Sequence, residues 1–220
     1  MEFAIEEYMP YSLLTFLVLA GFYAIYFIKM LLQRRKGIRT HQIGSRKEAG
    51  LHRVERLMGF ATLFIVPVEL ASVILKWNLM PANGRFTGFF VGALGDLIFL
   101  ISVMCMKDSW RAGIPKQDKT KLVTDGIYAY SRNPAFLGFD LQYVGVMLMY
   151  CNPLTILFTA FTMLMLHLQI LQEEKYMAAT FGEEYLQYKK QVFRYLGRKN
   201  GSVLRDQGNF PAKSKRSGRE

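Results

Sequence analysis

Apolar residues in this chain gather in long runs without charge, and segments rich in charged residues separate the runs. A helix of about 20 apolar residues crosses the ~30 Å hydrocarbon core of a bilayer. The runs therefore predict membrane-spanning helices and an all-α integral membrane protein. We predict five transmembrane helices, with the limits Tyr11–Leu32, Leu57–Lys76, Phe86–Met106, Ala135–Tyr150 and Leu154–Leu171.

Single residues inside the runs predict how the spans bend and meet. Pro67 lies in the second run and should kink that helix. Gly88 and Gly92 in the third run have the spacing that lets two helices approach closely in lipid. Asn152 and Pro153 predict a turn between the last two runs. We therefore expect the fourth and fifth spans to form a tight helical hairpin.

The chain changes in character twice after the last span. From Gln172 to Leu196, aromatic residues alternate with charged ones, which predicts a cytoplasmic amphipathic helix at the membrane surface. From Gly197 to Glu220, the chain is polar, basic and rich in Gly and Ser, and we expect a disordered tail. The chain thus divides into a three-span region, 1–106, a second membrane region, 107–196, and the tail.

Charge adds an orientation to this picture. The chain carries 28 Lys and Arg against 17 Asp and Glu, a formal net charge of +11. The basic residues concentrate in segments 33–56 and 107–134. Because Lys and Arg mark cytoplasmic loops, we expect the N-terminus outside and the C-terminus in the cytoplasm. Attraction to anionic membrane lipid is a secondary effect, and a chain with 51% hydrophobic residues in such runs is not expected to bind nucleic acid.

Cysteine and acidic residues are the first candidates for chemistry. Cys105 and Cys151 have no Cys or His partner at a metal-ligand spacing, so we expect no metal site. Glu69, Asp96 and Asp140 lie inside predicted spans, where an ionisable group is costly and often functional. Glu69 and Asp96 could form a proton or cation path, or be protonated groups that bond neighbouring helices. Asp140 is expected closer to the cytoplasmic surface.

The second basic segment leads into the fourth span through the sequence LVTDGIYAYSRNPAFLG, Leu122–Gly138. Asp125 and Gly126 predict a turn, and Pro134 suits the first turn of a helix. The exposed amides of that helix start, beside Arg132, would form a corner that binds an anion such as a carboxylate. The alternative is a capped helix with an arginine at the membrane interface.

Two adjacent carboxylates, Glu173 and Glu174, directly follow the fifth span. Gln169 precedes Glu173 by four residues, so these two side chains share one face of a helix. By themselves, the two carboxylates could neutralise a cation at the membrane exit or be solvated.

These segments, taken in order, resemble the isoprenylcysteine carboxyl methyltransferase family, which belongs with the membrane phospholipid methyltransferases. The resemblance is carried by WRAGI (Trp110–Ile114), LVTDGIYAYSRNPAFLG (Leu122–Gly138), CNP (Cys151–Pro153), Glu173-Glu174 and FGEEYLQYKKQV (Phe181–Val192). It covers about residues 107–196, which would form the cofactor-binding methyltransferase core. The first two spans share only a compatible topology.

The resemblance implies an integral-membrane enzyme that transfers a methyl group from S-adenosyl-L-methionine. In the family, the cofactor is held by the loop before an Arg-His-Pro-x-Tyr motif, by that motif, and by a glutamate after the last span. The corresponding cofactor-binding residues here are Thr120, Lys121, Leu122, Val123, Tyr128, Asn133, Pro134, Ala135, Phe136 and Glu173. The motif departs from the family at Asn133, which replaces the histidine, and at Phe136, which replaces a tyrosine and lacks its hydroxyl.

The resemblance also bears on the acceptor. Family members that methylate a carboxylate carry an arginine about one helical turn before the glutamates, and Gln169 occupies that position here. Gln169 and Arg132 are the candidate catalytic residues. Because an arginine pairs with a carboxylate and a glutamine cannot, the residue at position 169 bears on the substrate class.

Methyl transfer from a sulfonium is an in-line displacement, for which positioning and charge supply most of the catalysis. The GxGxxG pattern of soluble nucleotide-binding domains is missing from the sequence. We therefore predict a methyltransferase of lipophilic small-molecule or prenylated acceptors, which would enter sideways from the lipid. The alternatives are a phospholipid N-methyltransferase, a small-thiol S-methyltransferase, a family member that binds cofactor without turnover, and a channel or transporter that uses Glu69 and Asp96.

Overall fold

The computed structural model describes residues 10–40, 49–111 and 121–198, with the side chains of 49–52 left aside. Within these ranges the chain forms α-helices joined by short 3-10 turns and loops, and the one β-type pairing is an isolated bridge between Val192 and Arg198. The predicted all-α class is confirmed for this part of the chain. The helices are α1 (Tyr11–Arg35), α2 (Ala49–Ile74), α3 (Ala82–Met106), α4 (Pro134–Met149), α5 (Pro153–Phe181) and α6 (Glu183–Gln191).

Four of these helices, α1, α2, α3 and α5, are long and apolar enough to cross a membrane. The fourth predicted span corresponds to α4, which has 16 residues and is therefore only about 24 Å long at ~1.5 Å per residue. The structure thus supports four of the five predicted spans, with a shorter apolar helix in place of the fifth. Pro67 lies inside α2, which continues through it, and the predicted kink stays a prediction.

α4 packs most closely against α3, through glycines on both helices. Gly88, Gly92 and Gly95 of α3 face Gly138 and Gly145 of α4, and a Cβ added at any of these positions meets an atom of a neighbouring helix at less than ordinary contact distance. The backbones of the two helices therefore lie in direct contact, as the spacing of Gly88 and Gly92 predicted.

The predicted hairpin of the last two spans is correct for the chain connection and wrong for the packing. Asn152 ends the turn after α4 and caps α5, since its Oδ1 accepts hydrogen bonds of 3.1 Å from the amides of Leu154 and Thr155. Its Nδ2 donates to Ser72 Oγ on α2 at 2.9 Å. α5 then packs mainly on α2 and α4 on α3, because the glycine contact draws α4 away from its successor.

The predicted surface helix from Gln172 to Leu196 is also wrong in its limits. α5 continues through Gln172 as far as Phe181, because no residue breaks the helix before Gly182, whose φ of +54° ends it. The short α6 follows, and residues 192–198 are not helical. Gly197, the first residue of the expected tail, donates from its amide to the Tyr130 carbonyl at 2.7 Å. The rest of the tail, from 199 on, lies outside the described residues.

Candidate functional site

A cavity of about 450 Å³ lies between α1, α2, α4 and α5, below the loop that follows α3. Its wall is dominated by aromatic and aliphatic side chains. The lining residues named in the argument below include Tyr23, Tyr26, Phe27, Leu63, Phe139 and Tyr143. Phe27 on α1 and Leu63 on α2 are 50% and 68% exposed on the surface of the helix bundle. The cavity therefore reaches the lipid-facing surface between these two helices and suits a lipophilic molecule.

One part of the cavity wall is polar. Gln169 and Glu173, one turn apart on α5, both line it, and Gln169 Nε2 donates a 3.1 Å hydrogen bond to Glu173 Oε1. Gln169 is buried, and its Oε1 has no hydrogen-bond partner among the described residues. The predicted shared face of these two residues is thus observed, and it combines a carboxylate with an amide oxygen that can accept a further hydrogen bond.

Arg111 brings a positive charge to the same cavity. Its Nη1 donates to the carbonyls of Asp108 at 2.7 Å and Trp110 at 2.8 Å. The Trp110 ring is buried against Tyr26, at 5.6 Å between ring centroids, and against Phe99. The loop after α3 is therefore anchored by an aromatic cluster that holds Arg111 at the cavity.

Two of the predicted cofactor-binding residues, Ala135 and Phe136, line this cavity together with Glu173 and Gln169. They lie in the first turn of α4, which starts with Pro134 at its first position after the N-cap Asn133. The structure thus places the start of α4 and the end of α5 side by side at one cavity, although about 40 residues separate them in the sequence.

The predicted anion-binding corner is occupied by a carboxylate of the protein itself, Glu174. Arg132 Nη2 donates to Glu174 Oε1 at 2.6 Å, and Arg194 donates to both oxygens at 3.0 Å. Asn133 Nδ2 adds a 3.4 Å contact to Oε1. The Glu174 and Arg132 side chains are only 5% and 6% exposed, so this is a buried, charge-assisted network. Arg132 and Asn133 therefore face Glu174 and are not among the residues that line the cavity.

The segment after α6 completes this network. The Arg132 amide donates to the Phe193 carbonyl at 3.1 Å, and Asn133 Nδ2 donates to the Arg194 carbonyl at 3.1 Å. The hydrogen bond with Glu174 raises the pKa of the Arg194 guanidinium, so Arg194 stays charged. The C-terminal segment is thereby tied to the start of α4 and the end of α5.

Tyr128, another predicted cofactor-binding residue, is buried beneath α6. Tyr188 on α6 donates from its hydroxyl to the carbonyls of Tyr128 at 2.6 Å and Ser131 at 3.3 Å. Burial raises the pKa of the Tyr188 hydroxyl, which keeps it protonated as a donor. α6 therefore positions the loop that leads into α4.

The remaining predicted cofactor-binding residues lie in the loop before this segment. Leu122 packs against the buried Tyr185 and Tyr188, and the Lys121 amide donates to Ser109 Oγ at 3.4 Å. Val123 is half-buried beside them. Thr120 lies outside the described residues.

The acids predicted inside the spans differ in burial. Glu69 is 1% exposed and neither of its carboxylate oxygens has a hydrogen-bond partner among the described residues. One oxygen each of Asp96 and Asp140 is in the same situation. Among those residues, no group of His, Cys, Asp or Glu could hold a metal ion. A proton or cation path through Glu69 and Asp96 stays a hypothesis.

Sequence reasoning missed the roles of Arg111, Arg194 and the tyrosines of the cavity wall. WRAGI contained Arg111 and contributed to the resemblance, but nothing in its spacing links it to α5. Arg194 lies beyond the last motif. The tyrosines of α1 and α4 have the same hydropathy pattern as lipid-facing residues, so only packing distinguishes them.

The comparisons with known proteins agree with this architecture. A model of the isoprenylcysteine carboxyl methyltransferase (ICMT) family matches residues 87–179. A solved structure of the eukaryotic intramembrane Ras methyltransferase ICMT superposes with a TM-score of 0.51 at 18% identity, over 84% of this chain and 70% of that one. At that identity, the likeness concerns the fold.

Curated relatives match over shorter stretches. A probable protein-S-isoprenylcysteine O-methyltransferase of Oryza sativa subsp. indica is 32% identical over 110 residues, which is 49% of this chain and 58% of the relative. The protein-S-isoprenylcysteine O-methyltransferase of Mus musculus is 38% identical over 78 residues, which is 35% of this chain and 28% of the relative. The chain therefore spans less than two thirds of the length of these relatives. Through the match over residues 87–179, this integral multi-pass membrane protein belongs to the isoprenylcysteine carboxyl methyltransferase family.

Proposed function

We propose that this protein is an S-adenosyl-L-methionine-dependent methyltransferase that acts on a lipophilic acceptor from within the membrane. The observation that carries the proposal is the cavity in which an aromatic wall open to the lipid-facing surface meets Glu173, Gln169 and Arg111. The names of the relatives indicate a prenylated cysteine as the acceptor.

The residues at the polar wall fit the methyl donor. The Glu173 carboxylate lines the cavity, and its hydrogen-bond partner among the described residues is the neutral Gln169 amide, so it is suited to bind the ammonium group of the donor. The start of α4, Asn133 to Phe136, and Tyr128 would hold the rest of the molecule, as would the loop 120–123. When bound, the donor supplies a methyl group on a positively charged sulfur.

The protein's own contribution would be to position the acceptor and to exclude water. The aromatic side chains of α1 and α4 would hold the lipophilic part of the acceptor, with its nucleophile at the polar wall beside Gln169. Such positioning converts an encounter of two molecules into a reaction within one complex. Since Arg132 is engaged with Glu174, we assign it the positioning of the α4 start relative to α5.

The orientation follows from the same arrangement. Loops rich in Lys and Arg would place the polar wall of the cavity and the C-terminus at the cytoplasmic side. The methyl donor would then enter from the cytoplasm, and the acceptor would enter from the lipid between α1 and α2.

Calorimetric titration of S-adenosyl-L-methionine into the detergent-purified protein tests the proposal. We expect wild-type binding, loss of binding in Glu173→Ala, and unchanged binding in the control Glu184→Ala, which removes an exposed carboxylate of α6. Absence of binding to folded wild-type protein would refute the methyltransferase function. Equal affinity of wild type and Glu173→Ala would refute the assignment of Glu173.

A further inference from the structure

We propose that Arg111 binds the carboxylate of the acceptor, in place of the arginine that is absent at position 169. The inference rests on the proposed function and adds to it both a substrate-binding residue and an acceptor class, a prenylated cysteine with a free carboxylate.

The charges of the cavity wall lead to this residue. Among the described residues that line the cavity, Arg111 is the only cation and Glu173 the only carboxylic acid. A carboxylate that leaves water for an apolar cavity needs a paired positive charge. Glu173 has the wrong sign for this purpose, and Gln169 can offer only an uncharged amide.

Two other arginines near the site are committed elsewhere. Arg132 and Arg194 both bind Glu174, at 2.6 Å and 3.0 Å, and neither lines the cavity. They balance a buried carboxylate of the protein, so moving either toward a substrate would leave that carboxylate without a partner.

Arg111 is held by bonds that fix its position. Its Nη1 donates to two neutral acceptors, the carbonyls of Asp108 and Trp110. The Trp110 carbonyl also accepts a 2.9 Å bond from Nε2 of the buried Gln33, which ties the loop to the end of α1. Lys36 adds a 2.9 Å ion pair to Asp108. A guanidinium positioned in this way loses little freedom when it binds a planar carboxylate.

The reaction would then proceed with balanced charges. A carboxylate oxygen of the acceptor forms the new oxygen–carbon bond as the methyl–sulfur bond breaks, and the electron pair of that bond stays on sulfur. The negative charge of the carboxylate and the positive charge of the sulfonium both disappear, and no proton moves. The methyl ester product is uncharged, so its attraction to Arg111 weakens and its release becomes easier.

The test compares two ligands that differ only in charge, N-acetyl-S-farnesylcysteine and its carboxamide. Binding of each to the purified full chain is measured by calorimetry, with S-adenosyl-L-methionine titrated separately. Wild type should prefer the carboxylate by roughly 10- to 100-fold, the range of a hydrogen bond to a charged group. In Arg111→Gln the preference should fall close to one, with unchanged affinity for S-adenosyl-L-methionine. The control Lys190→Gln, which removes an exposed cation of α6, should behave as wild type.

Arg111→Lys keeps the charge and gives up the fork of donors, and it guards against misfolding of the Gln variant. It should retain a preference for the carboxylate even where Arg111→Gln lowers the melting temperature.

The remaining outcomes overturn the inference. A preference that survives in Arg111→Gln excludes the role. Weaker binding of S-adenosyl-L-methionine with an intact preference would assign Arg111 to the carboxylate of the methyl donor. Equal loss of both farnesyl ligands would show that Arg111 only anchors the loop. Wild type that binds S-adenosyl-L-methionine without preferring the carboxylate would point to thiol or amine acceptors and leave the methyltransferase function standing, whereas no donor binding would refute that function itself.

Discussion

Arg132 and Glu174 form a 2.6 Å ion pair between the start of α4 and the end of α5. They are 42 residues apart in the sequence, and both side chains are almost fully buried. Glu173, the neighbour of Glu174, turns instead to the cavity and bonds Gln169. The two adjacent glutamates therefore have different tasks: Glu174 joins elements of the fold, and Glu173 faces the candidate site.

Replacing Glu174 should therefore damage stability more than any exposed carboxylate would. Glu174→Ala leaves Arg132 buried without its partner, and breaking such a pair costs about 3–5 kcal/mol. We expect a clear drop in the melting temperature of the detergent-purified protein, against little change in Glu184→Ala. A melting temperature equal to that of wild type would show that the network does not stabilise the fold.

The glycine contact between α3 and α4 predicts a second stability effect. In Gly145→Ala the new methyl group collides with the backbone of Gly92, so the helices must separate. Overpacking of this kind costs about 1–3 kcal/mol. Gly59→Ala is the matched control, because its Cβ would meet no atom within 4 Å, and it should be neutral or slightly stabilising. Equal melting temperatures for the two variants would contradict the packing of α4 on α3.

Gly59 also lines the cavity, and this position tests where the acceptor binds. The side chain of Gly59→Leu would occupy space beside α1, since nothing else lies near its Cβ. We expect at least a tenfold weaker binding of N-acetyl-S-farnesylcysteine with the affinity for S-adenosyl-L-methionine unchanged. Unaltered farnesyl binding in a folded Gly59→Leu protein would place the acceptor elsewhere.

The proposed orientation can be measured by cysteine labelling. In a background without Cys105 and Cys151, one variant carries Leu79→Cys, between α2 and α3, and another carries Lys190→Cys on α6. Both positions are exposed. A membrane-impermeant maleimide applied to intact cells should label position 79 and leave position 190 unlabelled until the cells are opened. Labelling of both from the same side would refute the four-span arrangement of the described helices.

The limits of sequence reasoning show at particular residues. Gly88 and Gly92 predicted a close helix contact, and the structure contains it, because small side chains determine locally how near another backbone can come. The partner of that contact was not predictable from the spacing, so the expected hairpin of the last two spans was wrong as a packing unit. The extension of α5 past Gln172 was missed because charged residues look like a membrane boundary although they continue a helix well.

The sequence by itself determined the all-α class, the long apolar helices, the resemblance over residues 107–196 and the shared face of Gln169 and Glu173. These properties depend on hydropathy, helix period and neighbours within a few residues. The tertiary structure decided that Glu174 fills the anion-binding corner, that α4 packs on α3, and that Arg111 lines the cavity. Each of these joins residues dozens of positions apart, and such contacts depend on how whole helices fit together, which no local pattern encodes.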